Sequence, residues 1–574
     1  MGNLLNRTLS AMPIRLDMPR SGIHTGTGRV TTFNAGKLVP LFRPIEVLPG
    51  DTFDLRTGYV LRTSNPPIRP VMDKAFFDVS YFFVPMRLVW EHTKEFFGEN
   101  KTSYWVPATT YQIPLLRSNA SGYPAGGVAD HLYSVPPGVD VGDMSALEAR
   151  AYCLIWNEYF RDQNYMSPAA MPTGESVTAG ATALGSPLTN AVKGGELLPV
   201  CKYHDYFTSA LPNSQKAANA VSISGNDILP VLTYNRIVTE SHQTNPLWFD
   251  YSLSKGLREE TMQALGLTNG TKTSPGGSSF NIKKGDYAAE ASDFSTGDTV
   301  GGPVNLGLKA NLIGDVNQLR FAFALQKFYE RQAVGGSRFR ESLRSMYGAT
   351  IPDATSQVPE YLGGSHQQIG MQQVIQTSAS ATGQTPQANA AAYSFTANGD
   401  RAFLKSFCEP GWIFCLGCVR TNHTYQQGVN RQFRRRDLTD IYNPLFANLG
   451  MQPIRESELY FNKAINPDAD EVAIGYQEAW AEYRYFPRDV TGQMRAGVTG
   501  SLSVWNYADY YDVQDLQDVP FINDEFMSET SANIDRTLSV QSNVADQFII
   551  AFELDIRMYR VMPLYSVPGL IDHH

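Results

Sequence analysis

The sequence predicts a mainly β protein, an antiparallel sandwich or jelly roll with long inserted loops and few helices. Three observations carry this. Apolar or β-branched residues fall on every second position in several segments, which puts them on one face of a sheet. Helical periodicity is confined to a few short stretches. The connections between patterned segments are long and irregular, as in all-β architectures rather than alternating α/β folds.

Taken in chain order, residues 1–45 hold Arg7, Arg15, Arg20, Arg29, Lys37 and Arg43 against one acid, Asp17. They read as an extended basic arm with little core of its own, against a frayed terminus as the plainer alternative. Residues 46–221 carry the first strands. Phe53, Leu55, Thr57, Tyr59 and Leu61 alternate, and Phe77, Val79, Tyr81 and Phe83 repeat the pattern up to Pro85. Leu88 to Phe97 reads as a short helix closed by Gly98. Ser145 and Glu148 have the spacing of a capping box before the stripe Leu147, Ala151, Leu154 and Ile155.

Residues 222–314 are read as a surface insertion. The block 266–304 is rich in Gly, Ser and Thr and weakly periodic, like 167–197. Within the insertion, Gly256–Leu265 reads as helix. The second part of the core is placed at 315–574. Asp315 is expected to cap a helix through Leu319, Phe323 and Phe328. Another runs from Arg338 to Tyr347 and stops at Gly348. Strands are expected at Trp412–Tyr425, Tyr476–Phe486 and Leu502–Tyr510. The clearest one alternates Phe548, Ile550, Phe552, Leu554, Ile556 and Met558 with Glu553, Asp555 and Arg557.

Composition narrows function. The 574 residues are 43% hydrophobic, 11% aromatic and 18% charged, the last below the usual ~25%. Such a chain can bury a large core, and its aromatic load with few charges suits extensive contact with partners. The net charge of -9 excludes a chain-wide basic field for nucleic acid but not a local patch. Five scattered cysteines argue against a disulfide framework and for a reducing compartment. No apolar run reaches the ~18–20 residues of a membrane span, and the N-terminus has no apolar signal core. The expectation is a soluble protein retained where it is made.

Catalytic motifs are searched for and not found. In GLTNGTKT (Gly266–Thr273) Thr271 stands where a phosphate loop needs its second Gly. Cys408, Cys415, Cys418 and His423 lie on an expected strand, where Cys415 and Cys418 point to opposite faces, unlike a zinc knuckle. Glu478 and Glu482 on one strand sit about 13 Å apart, beyond glycosidase geometry. Asp468, Asp470 and Glu471 lack the glycine of a calcium loop. No cofactor is expected.

One constellation stands out. Arg431, Arg434, Arg435 and Arg436 fall close together with Phe433 between them and Tyr425 and Tyr442 nearby. Guanidinium groups pair phosphates and rings stack unpaired bases, so the run is a candidate single-strand DNA contact. The alternative is a salt-bridge cluster at a subunit seam, helped by Asp437 and Asp440. The tail after the last strand, with Pro563, Tyr565 and Leu570, is a candidate subunit-docking element.

A series of peptides in order resembles the major capsid proteins of microviruses, small tailless single-stranded DNA phages, especially the gokushovirus-like branch. They include FNAGKLVPLFRPIEVLPGDTF (Phe33–Phe53), PVMDKAFFDVSYFFVPMRLVWE (Pro70–Glu91), AYCLIWNEYFRDQN (Ala151–Asn164), KYHDYFTSALP (Lys202–Pro212), TYQQGVNRQFRRRD (Thr424–Asp437), GYQEAWAEYRYFP (Gly475–Pro487) and MPLYSVPGLIDHH (Met562–His574). The long NQLRFAFALQKFYERQAVGGSRFRESLRSMYG (Asn317–Gly348) and PEYLGG (Pro359–Gly364) also match. Residues 165–197 and 222–314 match poorly.

The resemblance implies an eight-stranded viral jelly roll with a surface protrusion. It implies a T=1 icosahedral shell of sixty copies enclosing circular single-stranded DNA. The implied partners are an internal scaffolding protein, a DNA pilot protein, a small basic DNA-binding protein, the DNA genome and a host surface receptor, with no membrane insertion. The implied place is the virion, assembled in the host bacterial cytoplasm. The competing class is a β-sandwich glycan-binding or polysaccharide-degrading protein with a carboxylate such as Glu478 or Asp509 in a cleft.

Overall fold

In a computed structural model of the chain, residues 19–100, 110–118, 120–216, 228–231, 267–269, 280–282, 306–309, 316–375 and 390–565 are described. The chain divides into two compact units, one of residues 1–217 with 328–574 and one of residues 218–327.

The first unit is built on two sheets. One comprises β1 (Ser21–Phe33), β4 (Thr52–Thr63), β7 (Thr396–Ser406) and β11 (Phe548–Arg560), in the order β1–β11–β4–β7. The other comprises the short β2 (Val39–Pro40) and β3 (Ile45–Val47), with β5 (Ala75–Pro85), β6 (Glu360–Gln368) and β8 (Gly411–Thr421). It runs β6–β5–β8–β2, with β3 also on β8. All pairings in both sheets are antiparallel. Counting β2 and β3 as one interrupted strand, the sheets take strands 1-8-3-6 and 5-4-7-2 in chain order. That is the double Greek key of a jelly roll. The sheets form a sandwich and do not close into a barrel.

Alternation sets the register. Along β4 and β11 every second residue is buried, including Phe53, Leu55, Tyr59, Phe552, Leu554 and Ile556. These meet β5 across the sandwich. The Tyr59 and Phe77 rings lie 5.1 Å apart, and the Thr57 and Tyr81 hydroxyls are hydrogen-bonded at 2.6 Å. β5 and β8 are buried on both faces, which explains their near-continuous apolar runs. Their second face is covered by the region of α1 (Leu147–Ile155). Phe82 packs 4.8 Å from Tyr159, and Tyr152 donates to the Leu38 carbonyl at 2.7 Å.

Two connections are long, β5 to β6 and β8 to β11. The first carries α1, α2 (Val316–Gly335) and α3 (Phe339–Tyr347). As its sequence indicates, α3 ends at Gly348 in the left-handed conformation, φ 69°. The second carries a strand pair, β9 (Met451–Arg455) and β10 (Ala473–Glu478). In the second unit, Ile228–Val231 pairs with Leu306–Lys309 and Leu267–Asn269 with Phe280–Ile282. Gly256–Leu265 and Asp315 lie outside the described residues.

Several local expectations differ from the structure. Residues 21–33, read as part of an arm, form edge strand β1, and Phe33, Leu38, Val39 and Leu41 enter the core. Leu88–Phe97 divides into a turn at Met86–Leu88 and a single helical turn at Thr93–Phe96. No capping box forms at Ser145; its hydroxyl accepts from the Leu147 N–H at 3.2 Å. Tyr476–Phe486 stops being a strand at Glu478, because Trp480 turns left-handed (φ 66°) into a tight turn at Ala481–Tyr483. Leu502–Tyr510 is not a strand. Its backbone bonds to other segments are scattered single links, Leu502 N–H to the Gln493 carbonyl at 2.7 Å and, both at 2.8 Å, Met72 N–H to the Trp505 carbonyl and Asp509 N–H to the Thr424 carbonyl, beside local turn bonds at Leu502–Asn506. Burial there does not alternate: Asn506, Tyr507, Ala508 and Asp509 are buried in succession between exposed Leu502 and Tyr510, as in an irregular segment lying on the core.

Candidate subunit-contact surface

The arginine run follows β8 on the way into the long second connection. Asn430 starts a short turn at Arg431–Arg434 by accepting from the Gln432 N–H at 2.9 Å. Three guanidinium groups then turn inward. Arg431 donates to the Pro453 carbonyl at 2.8 Å and lies 3.6 Å from Glu458. Arg434 pairs with Asp470 at 2.6 Å and sits 4.0 Å over the Phe461 ring. Arg435 pairs with Glu482 at 3.2 Å and sits 4.2 Å over Tyr483. Charge-assisted bonds combined with ring contacts on partly buried groups brace a segment firmly.

Arg436 differs. Its backbone N–H bonds Asp440 at 2.9 Å, while its exposed guanidinium has no ion-pair partner among the described residues. Phe433 is 74% exposed and stacks on none of them. Asp437 and Asp440 serve a local turn at Leu438–Asp440 instead of the guanidinium groups.

After the arginines the chain does something sequence reasoning missed. Leu438, Ile441, Tyr442, Leu445, Phe446 and Leu449 are all exposed. Their spacing of three to four residues imitates a helix stripe, yet Pro444 and two short turns replace any helix. The absence of Lys, Arg and His from 437–450 was the available signal.

In the tail, β11 ends with Arg560 bonded to Asp51 at 2.9 Å. Pro563 and Tyr565 follow, both exposed, and Leu570 lies outside the described residues.

Of the groups considered for chemistry, Cys408 is exposed, and Glu478, Cys415, Cys418, His423 and Asp509 are paired or buried within the chain. Glu478 pairs with Arg484 at 2.7 Å. Cys415 and Cys418 are buried, and burial pushes both thiols up to about 12. His423 lies between two carboxylates, Nδ1 2.9 Å from Asp509 and Nε2 3.1 Å from Glu529. Lys202 Nζ is 3.6 Å from Asp509, Asn533 donates to the same carboxylate, and Thr421 donates to Glu529 at 2.9 Å. Burial alone would lower the His423 pKa, but the two carboxylates outweigh it and hold it at about 9. Burial would likewise raise Asp509, yet His423 and Lys202 hold it well below the carboxylate range. This site is buried and joins the end of β8 to Lys202 earlier in the chain and to Asp509, Glu529 and Asn533 later in it. It is a structural knot, with no room for a substrate.

The fold is a jelly roll, an architecture that viral shell proteins share with lectin and cupin domains. The comparisons with known proteins give the family. Residues 14–570 match the family described as Capsid protein (F protein). The chain is 34% identical to Capsid protein VP1 of Spiroplasma virus 4 over 560 residues, covering 96% of both chains. It is 34% identical to Capsid protein VP1 of Chlamydia phage 1 over 593 residues, again 96% of both. To the VP1 of Bdellovibrio phage phiMH2K it is 32% identical over 562 residues, 96% of this chain and 95% of that one. The chain belongs to the phage capsid F-protein family. It is a virion protein, and no helix among the described residues is long and apolar enough to cross a membrane.

Proposed function

We propose that this chain is the major subunit of a T=1 shell of sixty copies around circular single-stranded DNA. The observation that carries the reading is the end-to-end match to capsid proteins of small phages. The role is structural rather than enzymatic, in line with the internal commitment of Glu478 and Asp509. A net charge of -9 leaves the genome's phosphates to be neutralised by another component, in keeping with a small basic DNA-binding protein as partner. An internal scaffolding protein and a DNA pilot protein complete the set, and the insertion at 222–314 contacts a host receptor.

For the arginine run, the geometry favours bracing over DNA contact, because three of its four guanidinium groups are bound to carboxylates of the same chain. The test is to produce the full chain with its phage's other structural proteins, then apply light scattering, negative stain and nuclease protection. Megadalton closed particles holding protected single-stranded DNA are expected. A chain that stays a monomer or small oligomer under those conditions overturns the reading.

A further inference from the structure

We propose that the segment Leu438–Leu449, with Phe433, is a preformed docking plate for a second copy of this chain. The inference rests on the capsid reading and names one of its subunit contacts.

The first argument is exposure without flexibility. Leu445, Leu438 and Phe433 are 87%, 83% and 74% exposed. Isolated exposed apolar residues need no explanation, but seven within seventeen positions do. The segment underneath them is fixed. Arg434 and Arg435 are tied down at its start. The Tyr442 ring lies 5.7 Å from Trp480, and Trp480 Nε1 donates to the Phe446 carbonyl at 2.9 Å. Asn443 caps its turn by accepting from the Leu445 N–H at 3.0 Å. A loop pinned from below while presenting leucines outward loses little conformational freedom on docking.

The second argument is area. At about 200 Å² for a fully exposed large apolar residue, the seven offer roughly 900 Å², against ~800 Å² that each side gives a standard protein interface.

The third argument is charge. Residues 438–449 contain one charged side chain, Asp440, and the charges beside them are Arg436 and Asp437, since Arg434 and Arg435 are paired within the chain. A nearly neutral, apolar surface suits the depleted-charge centre of a protein interface. Around threefold and fivefold axes a shell protein meets copies of itself through patches that differ on the two sides, and across twofold axes through one patch on both. The same unit offers further exposed apolar groups, among them Phe486, Phe521 and Val544, for the opposing side.

The experiment compares wild type with the double variant Leu438→Ser, Leu445→Ser in the full chain under particle-forming conditions. Both side chains point to solvent, so the thermal midpoint of the isolated subunit is expected to stay put. Particle yield is expected to fall at least about tenfold, as when central apolar contacts of an interface are removed. Wild-type yield from the double variant overturns the proposal. So does a normal yield with lowered protected DNA or lost binding to anionic vesicles, since either assigns the plate to another occupant. Should the double variant fail to fold, the single variant Leu445→Cys decides the matter. Its thiol is expected to react with maleimide in free subunits and be shielded in particles, and equal reactivity in both overturns the proposal. Failure of wild type itself to form particles would sink the capsid reading, a separate outcome.

Discussion

His423 is the residue whose surroundings say most about pH. Both ring nitrogens face carboxylates, so both carry protons in the folded protein. Its folded pKa of about 9 exceeds the unfolded value of about 6.5. The stabilisation is therefore complete below about pH 6.5 and is lost as pH rises through 9. A shift of this size corresponds to a few kcal/mol at most, on the order of 1.4 kcal/mol per unit. We expect the denaturant midpoint to fall between pH 7 and 9.5. We expect His423→Gln to be less stable at pH 7 and nearly flat over that window. A wild-type profile as flat as the variant's would refute the knot.

The arginine run makes a second prediction at this scale. Arg434→Gln with Arg435→Gln breaks two partly buried pairs and two ring contacts. The subunit should lose about 1–3 kcal/mol by urea titration, since each removal strands a carboxylate. Lowered DNA content with unchanged stability would instead favour a genome contact. None of the three acidic partners is near in sequence, so the run by itself left both a single-strand DNA contact and a salt-bridge cluster at a subunit seam open.

Among the elements, close backbone approach separates glycines that matter from those that do not. A Cβ on Gly428 would sit 1.9 Å from the Glu458 carbonyl oxygen, whereas one on Gly26 in β1 meets nothing within 4 Å. Gly428→Ala should destabilise by about 1–3 kcal/mol, the range for overpacking, while Gly26→Ala should be neutral or slightly stabilising. Parallel thermal melts of the two variants check this. The tail is the other element with a consequence. Pro563, Leu564 and Tyr565, which follow β11, are all exposed. Deleting residues 563–574 should give soluble, folded subunits that do not close into shells. Normal particle yield would show the tail to be passive.

For the whole molecule, the separate unit at residues 218–327 offers a clean division of labour. Replacing 266–304 with a short Gly-Ser linker should leave particles that assemble but no longer adsorb to the host. Normal adsorption overturns the receptor role, and failed assembly moves the insertion into the shell contacts. Loops carried on a rigid scaffold commonly hold recognition.

The sequence alone determined which residues share a face. In β4 and β11 alternation is a local property of an extended chain over one buried side, and it survives folding. The glycine stop after α3 was legible for the same reason, being written within one turn. The ordered peptides are specific enough to point to the capsid family by themselves. Only the tertiary structure decided which strand pairs with which, as where Ser21 meets Arg560 at opposite ends of the chain. It alone decided that residues 21–33 join a sheet rather than form an arm. It also bound Arg431, Arg434 and Arg435 to Glu458, Asp470 and Glu482. The physical reason is common to all three. Periodicity reports the environment of a segment, but a partner far along the chain is fixed by loop closure and packing, which leave no trace in local spacing.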